Sequence, residues 1–190
     1  MSTYSRLSIF ENGKCYGGQL KMETITMSAT MPSNHVRIDV GDLHASRDPS
    51  QMLLTYALGS CLGVTVHDPL SCVGGLAHIQ LPTCRQTQQF AEGVWSYADR
   101  ALPELFQRVY ALGATKGNLR ICLVGGASVL DPNSMFQIGR KNYLMVKNLL
   151  WRNGYFVAAE AVGGFDWRTM RLEIGTGRVE VQTSQGRETL

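Results

Sequence analysis

The stretch that most constrains the fold covers residues 53–82, where two β-type runs flank the turn signal Asp68-Pro69. Proline suits the second position of a turn because its ring fixes φ near −65°. Continuing an antiparallel pairing outward from a turn at residues 68–71 sets Cys61 opposite His78. Directly opposed residues have Cβ atoms roughly 4.5–5.5 Å apart. The sequence therefore predicts a thiol and an imidazole within reach of each other on one sheet face, unless a longer loop shifts the register.

The run after this cysteine alternates between two faces. Leu62, Val64 and Val66 form an apolar row, which is typical of a strand with one buried face. Cys61 faces away from that row, and Gly59-Ser60 before it allows the backbone to bend sharply. This places the thiol at a bend and on the side of the sheet opposite the apolar row.

The rest of the chain predicts an α+β domain of the α/β/α layered type, with mostly antiparallel sheet packed by two main helices. Further strands are predicted at residues 36–40, 76–81, 118–124 and 155–162, with a hairpin formed by 169–174 and 178–182 and a loop at 41–50. Helical apolar spacing predicts a helix at 89–112, with a kink or a fresh first turn at Pro103 and an end at Gly113. A second helix is predicted from about residue 138 to 152.

A chain of 190 residues is expected to form one domain. Residues 1–34 have no sustained periodicity and predict a poorly structured N-terminal extension, followed by a single domain at 35–190. Met22, Met27 and Met31 leave the natural translation start open.

The composition limits the classes of partner that the protein is expected to bind. A net charge of +3 without a basic cluster argues against nucleic-acid binding. No apolar segment reaches the roughly 18 residues of a membrane span, so no membrane insertion is expected. The five cysteines include no C-x-x-C pair and are expected to be reduced thiols in the cytoplasm. They are Cys15, Cys61, Cys72, Cys84 and Cys122.

Several short motifs, in order, are similar to those of the chemoreceptor glutamine deamidases, the CheD family. The resemblance covers about residues 36 to 182. Its motifs are Thr55, Leu58-Gly59-Ser60-Cys61, Asp68-Pro69, Gly74-Gly75, His78 with Leu81-Pro82, Gly125-Gly126-Ala127, Ile138-Gly139-Arg140-Lys141-Asn142 and Val162-Gly163-Gly164.

This resemblance implies hydrolysis of glutamine side chains to glutamate in methyl-accepting chemotaxis receptors, without a cofactor. It implies that Cys61 is the nucleophile, that His78 is the base, and that Thr55 lies beside them and orients the imidazole. Backbone N–H groups at Gly59, Ser60 and Cys61 are candidates for holding the oxyanion. The resemblance also implies a CheC-type phosphatase as a possible partner.

The same residues are compatible with other functions. A cysteine peptidase, another Cys-His amidohydrolase or a transglutaminase uses the same two side chains, and a non-catalytic chemotaxis regulator keeps the fold with an unreactive Cys61. A zinc site from His67, Cys72, His78 and Cys84 matches none of the usual ligand spacings. The glycines at 125–126 follow a predicted strand but lack the Gly-Lys-Ser/Thr of a phosphate loop, so a tight turn is expected there.

Overall fold

The structure is a computed structural model that describes residues 34–84, 93–128 and 137–190. In these ranges, strands form two five-stranded sheets. The first sheet has the order β1-β3-β8-β9-β10 and the second the order β2-β5-β4-β6-β7. The strands are β1 (His35–Arg37), β2 (Leu43–Ser46), β3 (Met52–Leu58), β4 (Leu62–Asp68), β5 (Val73–Ile79), β6 (Arg120–Gly125), β7 (Ala159–Val162), β8 (Arg168–Glu173), β9 (Val179–Thr183) and β10 (Gly186–Thr189).

Most strand pairs in the described ranges are antiparallel, as predicted. Among the strand pairs of the described residues, only β1 with β3 and β6 with β7 run parallel. The sheet containing β4 has two long helices on one face, α1 (Ala98–Ala111) and α2 (Ile138–Arg152). The α+β class is therefore confirmed.

The predicted α/β/α layer order is wrong. Residues from both helices share one core with the apolar row of β4, for example Leu105 and Val146 with Val64. The other face of the same sheet packs against the first sheet, and Leu58 of β3 and Val124 of β6 belong to the core that they share. The layers are thus helices, sheet and sheet, because the second face of the sheet is covered by strands and not by a helix.

The helix bounds were partly predicted. α2 covers the predicted range, and Gly113, with a φ of 106°, follows the end of α1. α1 starts later than predicted, at Ala98, after a 3₁₀ turn at Val94–Ser96. Pro103 lies inside α1, so no fresh helix starts there. The predicted residues 89–92 of this helix lie outside the described residues.

Two strands were not predicted. β2 lies within the predicted loop at 41–50, and β10 follows the predicted C-terminal hairpin. β5 starts earlier than predicted because it includes Gly74 and Gly75. A Cβ on Gly75 would lie 2.7 Å from the Leu105 side chain, so the glycine lets α1 pack closely on this strand.

The predicted N-terminal extension at residues 1–34 lies outside the described residues, apart from Asn34, and the domain division remains a prediction. Within the described part of the chain, no helix is long and apolar enough to cross a membrane.

Candidate active site

The hairpin of β4 and β5 sets the positions of the predicted thiol and imidazole. The strands pair from Asp68 with Val73 to Leu62 with Ile79, and Gly63 faces His78. The predicted direct pairing of Cys61 with His78 is therefore wrong. The connection is longer than the predicted turn and includes Cys72 with a φ of 52°, which moves the register by two residues.

A shift of two residues keeps every side chain on its original face, whereas a shift of one would have reversed them. Cys61 directly precedes β4, on the same side as Gly63, and so lies one diagonal step from His78. Diagonal neighbours across an antiparallel pair are roughly 7–8 Å apart, with Cβ atoms somewhat closer. Leu58 and Met170 fill the space that a side chain at Gly63 would take and so form an apolar floor beside this pair.

Among the described residues, the imidazole of His78 has one hydrogen-bond partner. Its Nδ1 lies 2.7 Å from Thr55 Oγ1, and that hydroxyl donates its hydrogen to the Ile38 carbonyl at 2.8 Å. A hydroxyl has one hydrogen, so the Thr55 oxygen must accept from His78 Nδ1–H. The neutral imidazole then has its free lone pair on Nε2, which is buried and has no hydrogen-bond partner among the described residues.

The two partners come from different sheets. Thr55 lies on β3 of the first sheet and His78 on β5 of the second, and their exposed fractions are 0% and 1%. The hydrogen bond therefore crosses the interface between the sheets. The sequence had suggested a site on the β-hairpin alone. In the structure, the candidate site is instead built at the interface between the two sheets.

The backbone leading to Cys61 is irregular. The pairing of β3 with β8 shifts between Thr55 and Leu58, and Ala57 has a φ of 56°. A left-handed conformation is unfavourable for a residue with a Cβ, and such strain tends to occur at functional sites. Here it accompanies the irregularity between Thr55 and Leu58, just before residues 59–61 lead from β3 of the first sheet to β4 of the second.

Hydrogen bonds from the backbone of Gly126 and Ala127 hold residues 59–61 in place. The Cys61 carbonyl accepts from Gly126 N–H at 2.8 Å, and the Gly59 carbonyl accepts from Ala127 N–H at 2.7 Å. A Cβ on Gly125 would lie 2.3 Å from the Cys61 oxygen. The glycines at 125–126 therefore permit close backbone contact with the cysteine segment. This contact was not predicted from the sequence, and the tight turn expected at these glycines stays a prediction.

The candidate oxyanion donors differ from one another. The Gly59 N–H donates to the Ala57 carbonyl at 2.9 Å and is already occupied. A Cβ on Gly59 would lie 2.9 Å from the Trp167 ring, so the glycine is needed for that packing. The oxyanion prediction therefore depends on the N–H groups of Ser60 and Cys61.

Burial favours the neutral forms of both Cys61 and His78 near pH 7. It lowers the pKa of His78 from 6.5 to about 4, with a smaller opposing effect from Asp39. Burial also raises the pKa of the Cys61 thiol, and its own backbone N–H opposes this in part. The resting pair is thus a thiol and a neutral imidazole.

Solvent reaches the vicinity of His78 through a surface depression. Its lining includes Asp39, Val40, Tyr56 and Ala57 together with His78. Val40 and Tyr56 are exposed large apolar residues, with exposed fractions of 53% and 41%. The edge of this depression therefore has both apolar and charged character.

The zinc site considered for His67, Cys72, His78 and Cys84, which the ligand spacing did not favour, has no counterpart among the described residues. His67 Nε2 lies 2.8 Å from the Ile174 carbonyl, far along the hairpin from His78. Among the described residues, no group of three or more His, Cys, Asp and Glu side chains is arranged to hold a metal ion.

Comparison with known proteins identifies the family. A family model described as CheD chemotactic sensory transduction matches residues 80–183, which is more than half of the chain. The chain belongs to the CheD family. The matched segment begins after Thr55, Cys61 and His78, so it leaves their roles open.

Curated relatives extend the likeness. The probable chemoreceptor glutamine deamidase CheD of Solibacter usitatus is 41% identical over 146 residues, covering 76% of this chain and 86% of that protein. The probable chemoreceptor glutamine deamidase CheD 1 of Syntrophus aciditrophicus is 40% identical over 80% of this chain and 95% of that protein. The crystal structure of Bacillus licheniformis hypothetical protein YfiH covers 65% of this chain and 49% of that one, at 12% identity and a TM-score of 0.35, which is too low to support an argument.

Proposed function

We propose that this CheD-family protein hydrolyses glutamine side chains of chemoreceptors to glutamate, with Cys61 as nucleophile and His78 as base. The carrying observation is the 2.7 Å hydrogen bond from His78 to Thr55, because it leaves His78 Nε2 as the basic nitrogen on the face that Cys61 shares. The names of the relatives, probable chemoreceptor glutamine deamidases, support the reaction and the substrate class.

The first step follows from the neutral resting pair. His78 Nε2 accepts the proton of the Cys61 thiol while the sulfur attacks the amide carbon of the substrate glutamine. Burial opposes a separated thiolate and imidazolium before substrate binds. The proton transfer is therefore coupled to the attack, and the positive charge on His78 and the negative charge on the amide oxygen develop together.

The remaining steps require water as the one additional reactant. The N–H groups of Ser60 and Cys61 bind the oxyanion, the C–N bond breaks, and the proton on His78 passes to the departing ammonia. Water then attacks the thioester, His78 accepts a proton from it, and the sulfur leaves and recovers the proton as a thiol. The products are glutamate and ammonia.

Thr55 is proposed as a positioning residue. Its hydroxyl holds Nδ1–H of His78 and is itself fixed by the Ile38 carbonyl. This third-group role resembles that of the carboxylate or amide in other triads. Binding of a CheC-type phosphatase is a further proposal that rests on family membership. A cytoplasmic location is also proposed, and the absence of a C-x-x-C pair among the five cysteines supports it.

One observation favours a second candidate. The raised pKa of Cys61 suits an unreactive thiol in a non-catalytic chemotaxis regulator. The two candidates differ in whether the protein changes its receptor partner chemically, and one experiment separates them.

The test is mass spectrometry of a receptor cytoplasmic fragment after incubation with the protein, together with an ammonia assay. The expected result is glutamine converted to glutamate, release of ammonia and an intact chain, with no conversion by Cys61→Ala. Cleavage of the fragment would indicate a peptidase, and incorporation of an added amine would indicate a transglutaminase. Binding without any mass change would support the regulator.

A further inference from the structure

Asn142 is a buried polar residue that the proposed mechanism does not use. It lies on α2 with an exposed fraction of 0%, in a position where an apolar residue would suit the core beneath the helix. Asparagine is a weak helix former and is costly to bury. Its presence on the buried face of α2 therefore needs a reason other than helix stability.

The side-chain amide bridges two segments of the candidate site. Nδ2 donates to the Ser60 carbonyl at 2.9 Å and to the Gln80 carbonyl at 2.8 Å. Because both partners are carbonyls, only the nitrogen end of the amide can make these contacts. One acceptor directly precedes Cys61, and the other follows His78 by two residues.

These carbonyls lie where the regular ladder between β4 and β5 ends. The last pair is Leu62 with Ile79. Beyond it, the N–H groups of Gln80 and Leu81 both donate to the Ser96 carbonyl, at 2.8 and 2.9 Å, and not toward the cysteine segment. At this end of the hairpin, the Asn142 amide connects the two segments in place of strand hydrogen bonds.

The helix that carries Asn142 is itself fixed to the cysteine segment. A Cβ on Gly139 would lie 2.5 Å from the Gly126 oxygen, so the first turn of α2 packs directly on this backbone. Gly126 and Ala127 in turn donate to the carbonyls of Cys61 and Gly59. The Asn142 amide therefore projects from a helix whose first turn already packs against the backbone that binds residues 59–61.

We propose that Asn142 is a positioning residue that fixes the separation of Cys61 from His78 by holding the Ser60 and Gln80 carbonyls together. The proposal rests on the proposed roles of Cys61 and His78. Asn142 lies beneath the site and does not contact the substrate, so it acts on the geometry of the pair and not on substrate binding.

The main variant is Asn142→Leu, which removes both donors and keeps the number and branching of the side-chain heavy atoms. A displacement of about 1 Å in an active site can lower a rate roughly a hundredfold, so we expect kcat to fall about 10- to 100-fold. KM should change by less than about twofold, because only interactions formed in the transition state are lost. Iodoacetamide should alkylate Cys61 at least about tenfold more slowly, because His78 no longer assists loss of the thiol proton.

Two matched variants on the same helix separate positioning from stability. Asn148→Leu makes the same change at an exposed position and should leave both readouts unchanged. Val146→Ala weakens the buried face of α2 one turn after Asn142 and should lower the Tm without lowering kcat at temperatures where it is folded. If Asn142→Leu does not fold, Asn142→Ala is used, since it leaves room for water at the two carbonyls.

The outcomes are separable from those of the proposed function. A folded Asn142 variant with the kcat and the Cys61 alkylation rate of the wild type would overturn the positioning role. The same conclusion would follow if Val146→Ala and the Asn142 variant had the same Tm and lost the same fraction of kcat. If the wild-type protein releases no ammonia, the proposed function fails. The alkylation rate of Cys61 then decides the role of Asn142 by itself.

Discussion

The hairpin of β4 and β5 carries two buried histidines, one near each end, and their ring nitrogens are bonded in opposite ways. His67 Nε2 meets the Ile174 carbonyl at 2.8 Å; a carbonyl can only accept, so this nitrogen carries the hydrogen. His78 gives its Nδ1–H to Thr55 and leaves Nε2 without a partner among the described residues. Both residues are buried, with exposed fractions of 3% and 1%.

The surroundings of the two rings differ in the same sense. A Cβ on Gly177 would lie 2.3 Å from His67 Nδ1, so backbone covers that ring closely. His78 instead lines a surface depression. Burial alone therefore does not distinguish a structural histidine from a candidate base. The identity of the hydrogen-bond acceptor, and the nitrogen that it leaves free, make the distinction.

The largest expected effect is on turnover. His78→Ala removes a general base and acid, which typically contributes 10²–10⁴-fold, so we expect kcat to fall by about that factor. His67→Ala should destabilise the protein but leave kcat nearly unchanged in the molecules that fold. Ammonia release from a receptor fragment, with circular dichroism as the folding control, measures both. Equal losses in the two folded variants would remove the distinction between the histidines.

The second expected effect is on stability as a function of pH. His78 is neutral in the folded protein down to a pKa of about 4, against 6.5 without burial. Between these values the unfolded chain binds more protons, so stability falls as pH decreases from 6.5 toward 4, by up to about 3 kcal/mol from this group. Above pH 6.5 this contribution is fully present.

Urea unfolding of wild-type protein and His78→Gln at about pH 7.5 and about pH 5 measures this difference. The variant should lose less stability between the two conditions than the wild type. An identical pH dependence would mean that His78 titrates normally in the fold, and that the neutral resting pair is wrong.

A smaller expected effect concerns the structural histidine. Gly177 has a φ of 69° and contacts the His67 ring. Gly177→Ala adds both backbone strain and a steric contact, so it should destabilise by more than about 1 kcal/mol. Thermal unfolding measures this loss, and kcat below the transition should equal that of the wild type. A selective loss of kcat would show that the His67 end of the hairpin also affects turnover.

The smallest expected effect is that of Thr55→Val, which keeps the shape and removes the hydroxyl. One neutral hydrogen bond contributes about 0.5–1.5 kcal/mol, equivalent to a roughly two- to tenfold fall in rate. Misorientation of the imidazole can enlarge this to about a hundredfold. The ammonia assay on folded Thr55→Val checks it, and full activity would exclude Thr55 from the site.

Much of this arrangement could be predicted from local sequence pattern. The alternation from Leu62 to Val66 identified the face of β4 that packs on the helices, and apolar spacing located α2. The motifs identified the family. The hydrogen bond between Thr55 and His78 matches the orienting contact that the resemblance implied, although its catalytic role remains a prediction.

What could not be predicted depends on long-range contacts. The predicted register of β4 and β5 was wrong because Pro69 indicates a turn without fixing its length. The helix, sheet and sheet layering follows from which face the first sheet covers, and no local period encodes that choice. Asn142 appeared in a family motif, but its contacts to Ser60 and Gln80 arise only when α2 packs across the end of the hairpin.

The most direct test of the account is to find the covalent intermediate. A mixture of protein and receptor fragment is quenched in acid and analysed by mass spectrometry for a thioester on the peptide that contains Cys61. The account predicts an adduct on Cys61 with loss of ammonia from the fragment, and neither adduct nor glutamate with Cys61→Ala. An adduct on Cys72 or Cys84 instead, or glutamate formation by Cys61→Ala, would contradict it.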